Sequence, residues 1–323
     1  MIFQDDFFLN EIRNDFEVPA LMKRAWAAQL EVLEVVRTIC QKNKLTYFAS
    51  DGTLLGAIRH NGFIPWDDDI DICMLRPDYN KLRKILPDQL PPGFIIDGTF
   101  SSEKKYQVLN SNPQLRVVAL RELWDFDQYI QRFHGYPFPV VGIDIFPLDY
   151  IPDDSEEAKI QQELVNLGTD IASNWYILDE KIRNDRIKIF EEYTGAQLDH
   201  DNLLVSLWRL VDSLASLYTQ KDGSKLMNMA YKIGPFSADW FQSSMTHNFE
   251  NTEINVPKNY KEILTTFYGD YQKLVRNTAL HHYPYYEEME KNFLAPLRDA
   301  GIQDDTETII QKLLNKEFSI TFN

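Results

Sequence analysis

Cysteine is nearly missing from the chain: 323 residues carry two, Cys40 and Cys73, and neither belongs to a C-x-x-C pair. That argues against a disulfide scaffold or a thiolate metal centre, and both residues, set in apolar stretches, read as small core side chains of a reduced protein. Clusters of Lys and Arg are missing too. With 33 basic against 49 acidic residues and a formal net charge of −16, the sequence lacks the basic stripe that a phosphate backbone requires, so no nucleic-acid partner is expected. No apolar run approaches the roughly 18 residues of a membrane span, and Met1-Ile2-Phe3-Gln4-Asp5-Asp6 has neither the basic start nor the apolar stretch of a secretion signal. Internal repeats and low-complexity tracts are absent. What remains is a chain with 44% hydrophobic residues, enough for one large or two moderate domains, and expected in the cytoplasm.

Carboxylates concentrate in one place. Residues 66–72 read Trp66-Asp67-Asp68-Asp69-Ile70-Asp71-Ile72. On an extended strand successive side chains point to opposite faces, so Asp69 and Asp71 would share one face while Ile70 and Ile72 enter a core. Paired carboxylates repel unless neutralised. The fitting neutraliser is a hard divalent cation, Mg2+ or Mn2+, which prefers oxygen ligands and commonly arrives with substrate phosphates. Upstream, residues 45–49 read as a short buried strand and Gly52-Thr53-Leu54-Leu55-Gly56-Ala57 as a turn leading into a short helix. There Gly52 lets a phosphate approach the backbone and Thr53 offers a hydroxyl. Downstream, Val140-Val141-Gly142-Ile143-Asp144-Ile145-Phe146-Pro147 sets a carboxylate between apolar neighbours, which brings Asp144 toward Asp69 and Asp71 if the two strands are adjacent.

Along the chain, Leu21, Ala25, Ala28, Val32, Val35 and Ile39 have helical spacing, so residues 18–44 read as an amphipathic helix packed on a sheet. Pro77 opens another helix after the acidic strand, and residues 94–97 and 114–119 read as strands. Residues 155–233 change character, with long helical patterns over 160–172, 182–193 and 203–218 and almost no β signal. From 246 to 296 the sequence is aromatic-rich and punctuated by Pro and Gly. The expected division is a core with its leading helix over 1–150, a helical region over 151–245, and a segment over 246–323 that completes a cleft.

A strand, a small-residue turn with a hydroxyl, an Asp-x-Asp strand and a later strand with a third acid suit nucleotidyltransferase chemistry. The third acid either completes a metal site or accepts a proton from an attacking hydroxyl. The stretch from Asp51 to Ile72, followed by Arg76-Pro77-Asp78-Tyr79, Gly142-Ile143-Asp144-Ile145-Phe146-Pro147-Leu148-Asp149 and the late Tyr268-Gly269-Asp270-Tyr271, resembles the LicD family. That family includes bacterial phosphocholine transferases and fukutin-like ribitol-phosphate transferases. The resemblance implies an α+β, nucleotidyltransferase-like fold: a mixed sheet flanked by helices. It implies a Mg2+-dependent transferase, with Asp69, Asp71 and Asp144 as catalytic and metal-holding groups. Its donor would be CDP-choline or a related CDP-alcohol. The phosphoalcohol would move to a hydroxyl of a cell-surface glycan or teichoic acid precursor, including a lipid-linked one at the inner membrane face, with release of CMP.

Further substrate contacts are expected from Arg59 and Arg116, whose guanidinium forks suit phosphate but equally suit structural ion pairs, and from Asp68 and Trp66. Asp67 reads as a turn-bonding carboxylate, and His60 as a loop brace. His281 and His282, which would point apart on a strand, fit a loop contact to nucleotide or acceptor better than a metal pair. Trp66, Trp124, Tyr283, Tyr285 and Tyr286 offer π faces to a quaternary ammonium, although aromatics also fill cores. Two other classes compete. A metal-dependent glycosyltransferase would also use Asp-x-Asp, but only one helix and one short strand precede Asp69, where such folds place a nucleotide-binding half. A non-catalytic glycan- or choline-binding protein has no need of three intact acids.

Overall fold

The helical spacing of residues 18–44 becomes α1 (Ala20–Lys42), entered from an antiparallel hairpin of β1 (Glu11–Arg13) and β2 (Phe16–Val18). The structure, a computed structural model, describes residues 1–107, 112–276, 283–317 and 319–320. Every residue from Ala20 to Leu33 is buried. The helix is therefore covered on nearly all sides rather than on one face. Its polar side chains are satisfied inside, as burial demands: Arg24 donates to Glu307 (Nε–Oε2 2.9 Å) and to the His134 carbonyl (2.6 Å).

The next elements are β3 (Phe48–Ala49), α2 (Asp51–His60), β4 (Asp71–Leu75), α3 (Arg76–Gln89), β5 (Phe94–Asp97), the short α4 (Lys104–Gln107), β6 (Leu115–Leu120), α5 (Phe126–Arg132) and the long β7 (Val140–Ile151). These strands lie in the order β3-β4-β7-β6-β5, with β4 and β7 parallel and the other neighbours antiparallel. Ile72, Met74, Ile143 and Ile145 are buried at 2% exposure or less, so the apolar half of each alternation does enter the core. This is the mixed α+β class.

Helices α6 (Ser155–Ser173), α7 (Glu180–Thr194) and α8 (Leu203–Ala215) follow. Asp154 and Asp179 fix two of their starts by accepting backbone N–H bonds within the first turn. They bury Val165, Ile171, Phe190, Leu207, Trp208 and Val211 in a second, smaller core. The stretch read as helical nonetheless ends in a hairpin, β8 (Lys225–Asn228) and β9 (Ile233–Ser237), which extends the main sheet by pairing with the end of β7. A strand of four residues is too short to show a period of two. The chain continues through a second hairpin, β10 (Ser244–Phe249) and β11 (Thr252–Pro257), then α9 (Tyr260–Tyr268), α10 (Glu287–Asp299) and α11 (Thr306–Leu314). Residues of these late elements, among them Phe249, Val256, Leu264 and Ile310, share one core with α1 and the sheet. Among the described residues no helix is long and apolar enough to cross a membrane.

Candidate active site

Strand register builds the centre of the site. Asp71 of β4 stands opposite Asp144 of β7, Asp144 opposite Arg116 of β6, and Arg116 opposite Asp97 of β5. Directly opposed residues send their side chains to the same face of a sheet, so these four form one transverse row of charge. Ser50, whose N–H donates to the Asp71 carbonyl (3.0 Å), borders the row on the β3 side. Arg116 Nε lies 3.5 Å from Asp144 Oδ1, and neither atom has a hydrogen bond from a described residue. The two side chains keep 29% and 24% exposure, so a solute reaches this part of the row.

Strand β4 begins at Asp71, so Asp69 lies on the preceding turn and not on the strand where alternation would put it. Oxygens of Asp67, Asp68 and Asp69 come within 4.8 Å of one another on that turn. Several groups hold it. Trp26 Nε1 donates to the Asp67 carbonyl (3.0 Å), Gln29 Nε2 to the Asp68 carbonyl (2.6 Å), and the Tyr285 N–H to Asp68 Oδ2 (2.6 Å). Thr53 Oγ1 accepts the Asp71 N–H (2.8 Å), tying α2 to the start of β4. Trp26 and Gln29 were not singled out from sequence. The available signal was a glutamine inside the apolar stretch of α1.

The other expected contacts fall as follows. Gly52 permits close approach, and the group beside it is Asp67: a Cβ there would meet Asp67 Oδ2 at 2.4 Å. Arg59 donates through NH1 to the carbonyls of Tyr271 and Lys273 (3.0 Å each) and through Nε to His60 (2.9 Å). Burial and the Arg59 charge push His60 down to about 4, so the ring is neutral and braces the guanidinium. Trp66 packs edge-on against Phe16, and the Arg276 guanidinium covers its face at 5.1 Å. Arg116 sits in the charged row. His281 and His282 lie outside the described residues. Of the aromatic set, Trp66 and Tyr283 both pack on Phe16, Tyr285 and Tyr286 touch with ring centroids 5.6 Å apart, and Trp124 packs with Phe94, Tyr129 and Phe133.

Burial raises Asp71 well above the usual carboxylate range, and Asp69, Asp144, Asp51 and Asp67 push it further. Asp144 is raised by burial too, opposed by Arg116 and a hydrogen bond from Gln114. Four carboxylates thus act on Asp71, hydrogen bonds from described residues leave Asp144 Oδ1 unclaimed, and the oxygens that come close enough to share one ion are those of Asp67, Asp68 and Asp69. Such an all-oxygen, anionic donor set fits a hard divalent cation.

The same residues lie within a match to known sequences. Residues 44–155 match the family described as LicD/FKTN/FKRP, nucleotidyltransferase domain. Over 253 residues, 76% of this chain and 89% of the relative, the sequence is 24% identical to the lipopolysaccharide cholinephosphotransferase LicD of Haemophilus influenzae. A shorter stretch of 78 residues, 24% of this chain and 28% of the relative, is 37% identical to an uncharacterized protein of Rickettsia prowazekii. Another, of 66 residues, 20% of this chain and 21% of the relative, is 38% identical to an uncharacterized protein of Rickettsia typhi. The strands β4 and β7, the turn before β4 and the start of α2 all fall inside residues 44–155, the part of this chain that is similar to the LicD/FKTN/FKRP nucleotidyltransferase domain.

Proposed function

We propose that the protein transfers phosphocholine from CDP-choline to a hydroxyl of a cell-surface glycan or teichoic acid precursor and releases CMP. The observation that carries this reading is the pairing of Asp71 with Asp144 on parallel neighbouring strands, beside the Asp67–Asp69 turn and the start of α2. The name of the Haemophilus influenzae relative supports choline as the alcohol and a surface glycan as the acceptor. Asp69, Asp71 and Asp144 are the residues that would hold Mg2+ or Mn2+. Bound there, the ion would offset phosphate charge and polarise the phosphorus.

The chain's own groups do the rest. The first N–H groups of α2 have no intrahelical partner and, with the positive end of the helix dipole, favour a phosphate on the acid-row side of the start of α2. The acceptor oxygen forms a new P–O bond as the anhydride P–O bond breaks. CMP leaves with that electron pair, and the hydroxyl proton passes to Asp144. Arg116, 3.5 Å from Asp144, keeps the carboxylate turned toward the row. The test is CMP release from CDP-choline, CDP-ribitol and CDP-glycerol, and UDP release from UDP-sugars, with Mg2+ and with or without a glycan acceptor. Asp144→Asn should cut kcat by about a hundredfold, a larger effect than its rise in KM for the donor. Equal turnover by the variant would remove the proton-acceptor role. UDP release with sugar transfer would replace the whole reading by a glycosyltransferase.

A further inference from the structure

The face that carries the acid row continues beyond it. Side chains two residues on return to the same face, so Cys73 follows Asp71 and Phe146 follows Asp144, about 7 Å further along the strands. There they floor a pocket, open to solvent, whose near edge is Ser50 and Asp51, at the start of α2. Five of its lining residues are aromatic: Phe146, Phe236, Phe241, Phe267 and Tyr268. Its polar lining is Ser50, Asp51, Asn228 and the Tyr268 hydroxyl, with no Lys, Arg or His among the described residues. Asp51 is held in the left-handed region at φ 46°, with its carboxylate accepting from Ser50 Oγ (2.6 Å). A non-glycine residue enters that region at a cost, and such costs gather at functional sites.

We infer that this cavity receives the quaternary ammonium group of the donor, with the aromatic walls supplying cation–π faces and Asp51 the counter-charge. The inference rests on the phosphocholine-transfer reading and assigns its specificity. A quaternary ammonium has no N–H to satisfy and is attracted to aromatic faces and carboxylates. A ribitol or glycerol chain would set its hydroxyls against Phe and Ile side chains that cannot bond them. The two-residue offset from the acid row is one short linker, so a phosphate over the carboxylates and a cation in the cavity belong to one molecule.

Phe267 and Tyr268 are rim residues, 44% and 37% exposed, so Phe267→Leu and Tyr268→Leu remove a π face without opening the core. Calorimetric titrations of the full chain in Mg2+ would use phosphocholine, its neutral tert-butyl carbon isostere and CMP. The parent is expected to bind phosphocholine about tenfold more tightly than the isostere. Each leucine variant should lose about threefold to tenfold on phosphocholine and bind CMP as the parent does. Equal binding of the two phosphates by the parent overturns the inference. So does equal weakening of CMP and phosphocholine, which would give the cavity to the cytosine ring. Binding needs no turnover, so the two readings separate. Phosphocholine discrimination without CMP release from CDP-choline upholds the subsite and sinks the transferase, whereas CMP release with unchanged phosphocholine affinity in both variants sinks the subsite alone.

Discussion

A Cβ on residue 52 would stand 2.4 Å from Asp67 Oδ2, so the glycine at that position works by leaving out an atom. Its absence lets the acidic turn lie directly against the start of α2, which keeps Asp67 among the carboxylates around Asp71. Gly52→Ala should move Asp67 outward and lower CMP release by an order of magnitude or more, with a circular dichroism spectrum like that of the parent. Activity equal to the parent's would mean that Asp67 tolerates displacement. Asp71 is the opposite case, a residue whose charge is unfavourable to the metal-free fold. Replacing it by Asn removes a group repelled by Asp69, Asp144, Asp51 and Asp67. Asp71→Asn should therefore abolish turnover, by about a hundredfold or more, while unfolding in EDTA at the parent's temperature or above. A variant that loses both activity and stability would instead make Asp71 a structural residue.

At the scale of elements, the register that pairs Asp71 with Asp144 runs on through Leu75 and Leu148, so the next residues along, Arg76 and Asp149, also meet. Their contact is a buried fork: Nε–Oδ1 2.5 Å and NH2–Oδ2 2.7 Å. Arg76 NH1 also donates to Asp212 of α8 (2.6 Å), so one guanidinium joins α3, β7 and the helical region. Removing one member of such a group leaves buried charges unpaired, and Arg76→Met should cost about 3–5 kcal/mol in urea unfolding. A loss below about 1 kcal/mol would show that the three elements dock through apolar packing alone. This network was not legible in the sequence, where Arg76 and Asp149 are 73 positions apart and only the parallel register brings them together. Local signals were legible: apolar periodicity gave α1 and α6 to α8, and Asp144 between Ile143 and Ile145 marked a strand with a third acid. Alternation sets Asp69 on the strand because it says nothing of where pairing starts, at Asp71. The aromatic cavity was hidden for the same reason as the Arg76 network, since its walls come from β7, β9, α9 and the segment before β10.

At the scale of the molecule, acid sensitivity and charge balance yield separate predictions. Glu31 is buried in α1 and bonded by His134 (2.8 Å) and Arg132. Burial alone would raise it, but those partners more than offset burial and hold it at about 2, against an ordinary 4.5. A depressed carboxyl contributes stability that is complete above its unfolded value and lost as pH falls through its folded one. Glu31 should then contribute on the order of 2 kcal/mol above about pH 4.5, fading toward pH 2, and Glu31→Gln should flatten that limb of a stability–pH profile. Magnesium acts at the other extreme of charge. With a net charge of −16, the fold repels itself, and any salt relieves part of that repulsion by screening. Screening neither saturates at a stoichiometric site nor distinguishes the parent from Asp71→Asn. A cation held by Asp69, Asp71 and Asp144 does both, because binding to the folded state alone adds RT ln(1 + [L]/Kd), about 2.7 kcal/mol at a hundred times Kd. Thermal melts at matched ionic strength should show a saturable rise of a few degrees in Tm with MgCl2 over NaCl for the parent and none for Asp71→Asn. If the two proteins respond alike, the acid row binds no ion and the carboxylates serve another purpose.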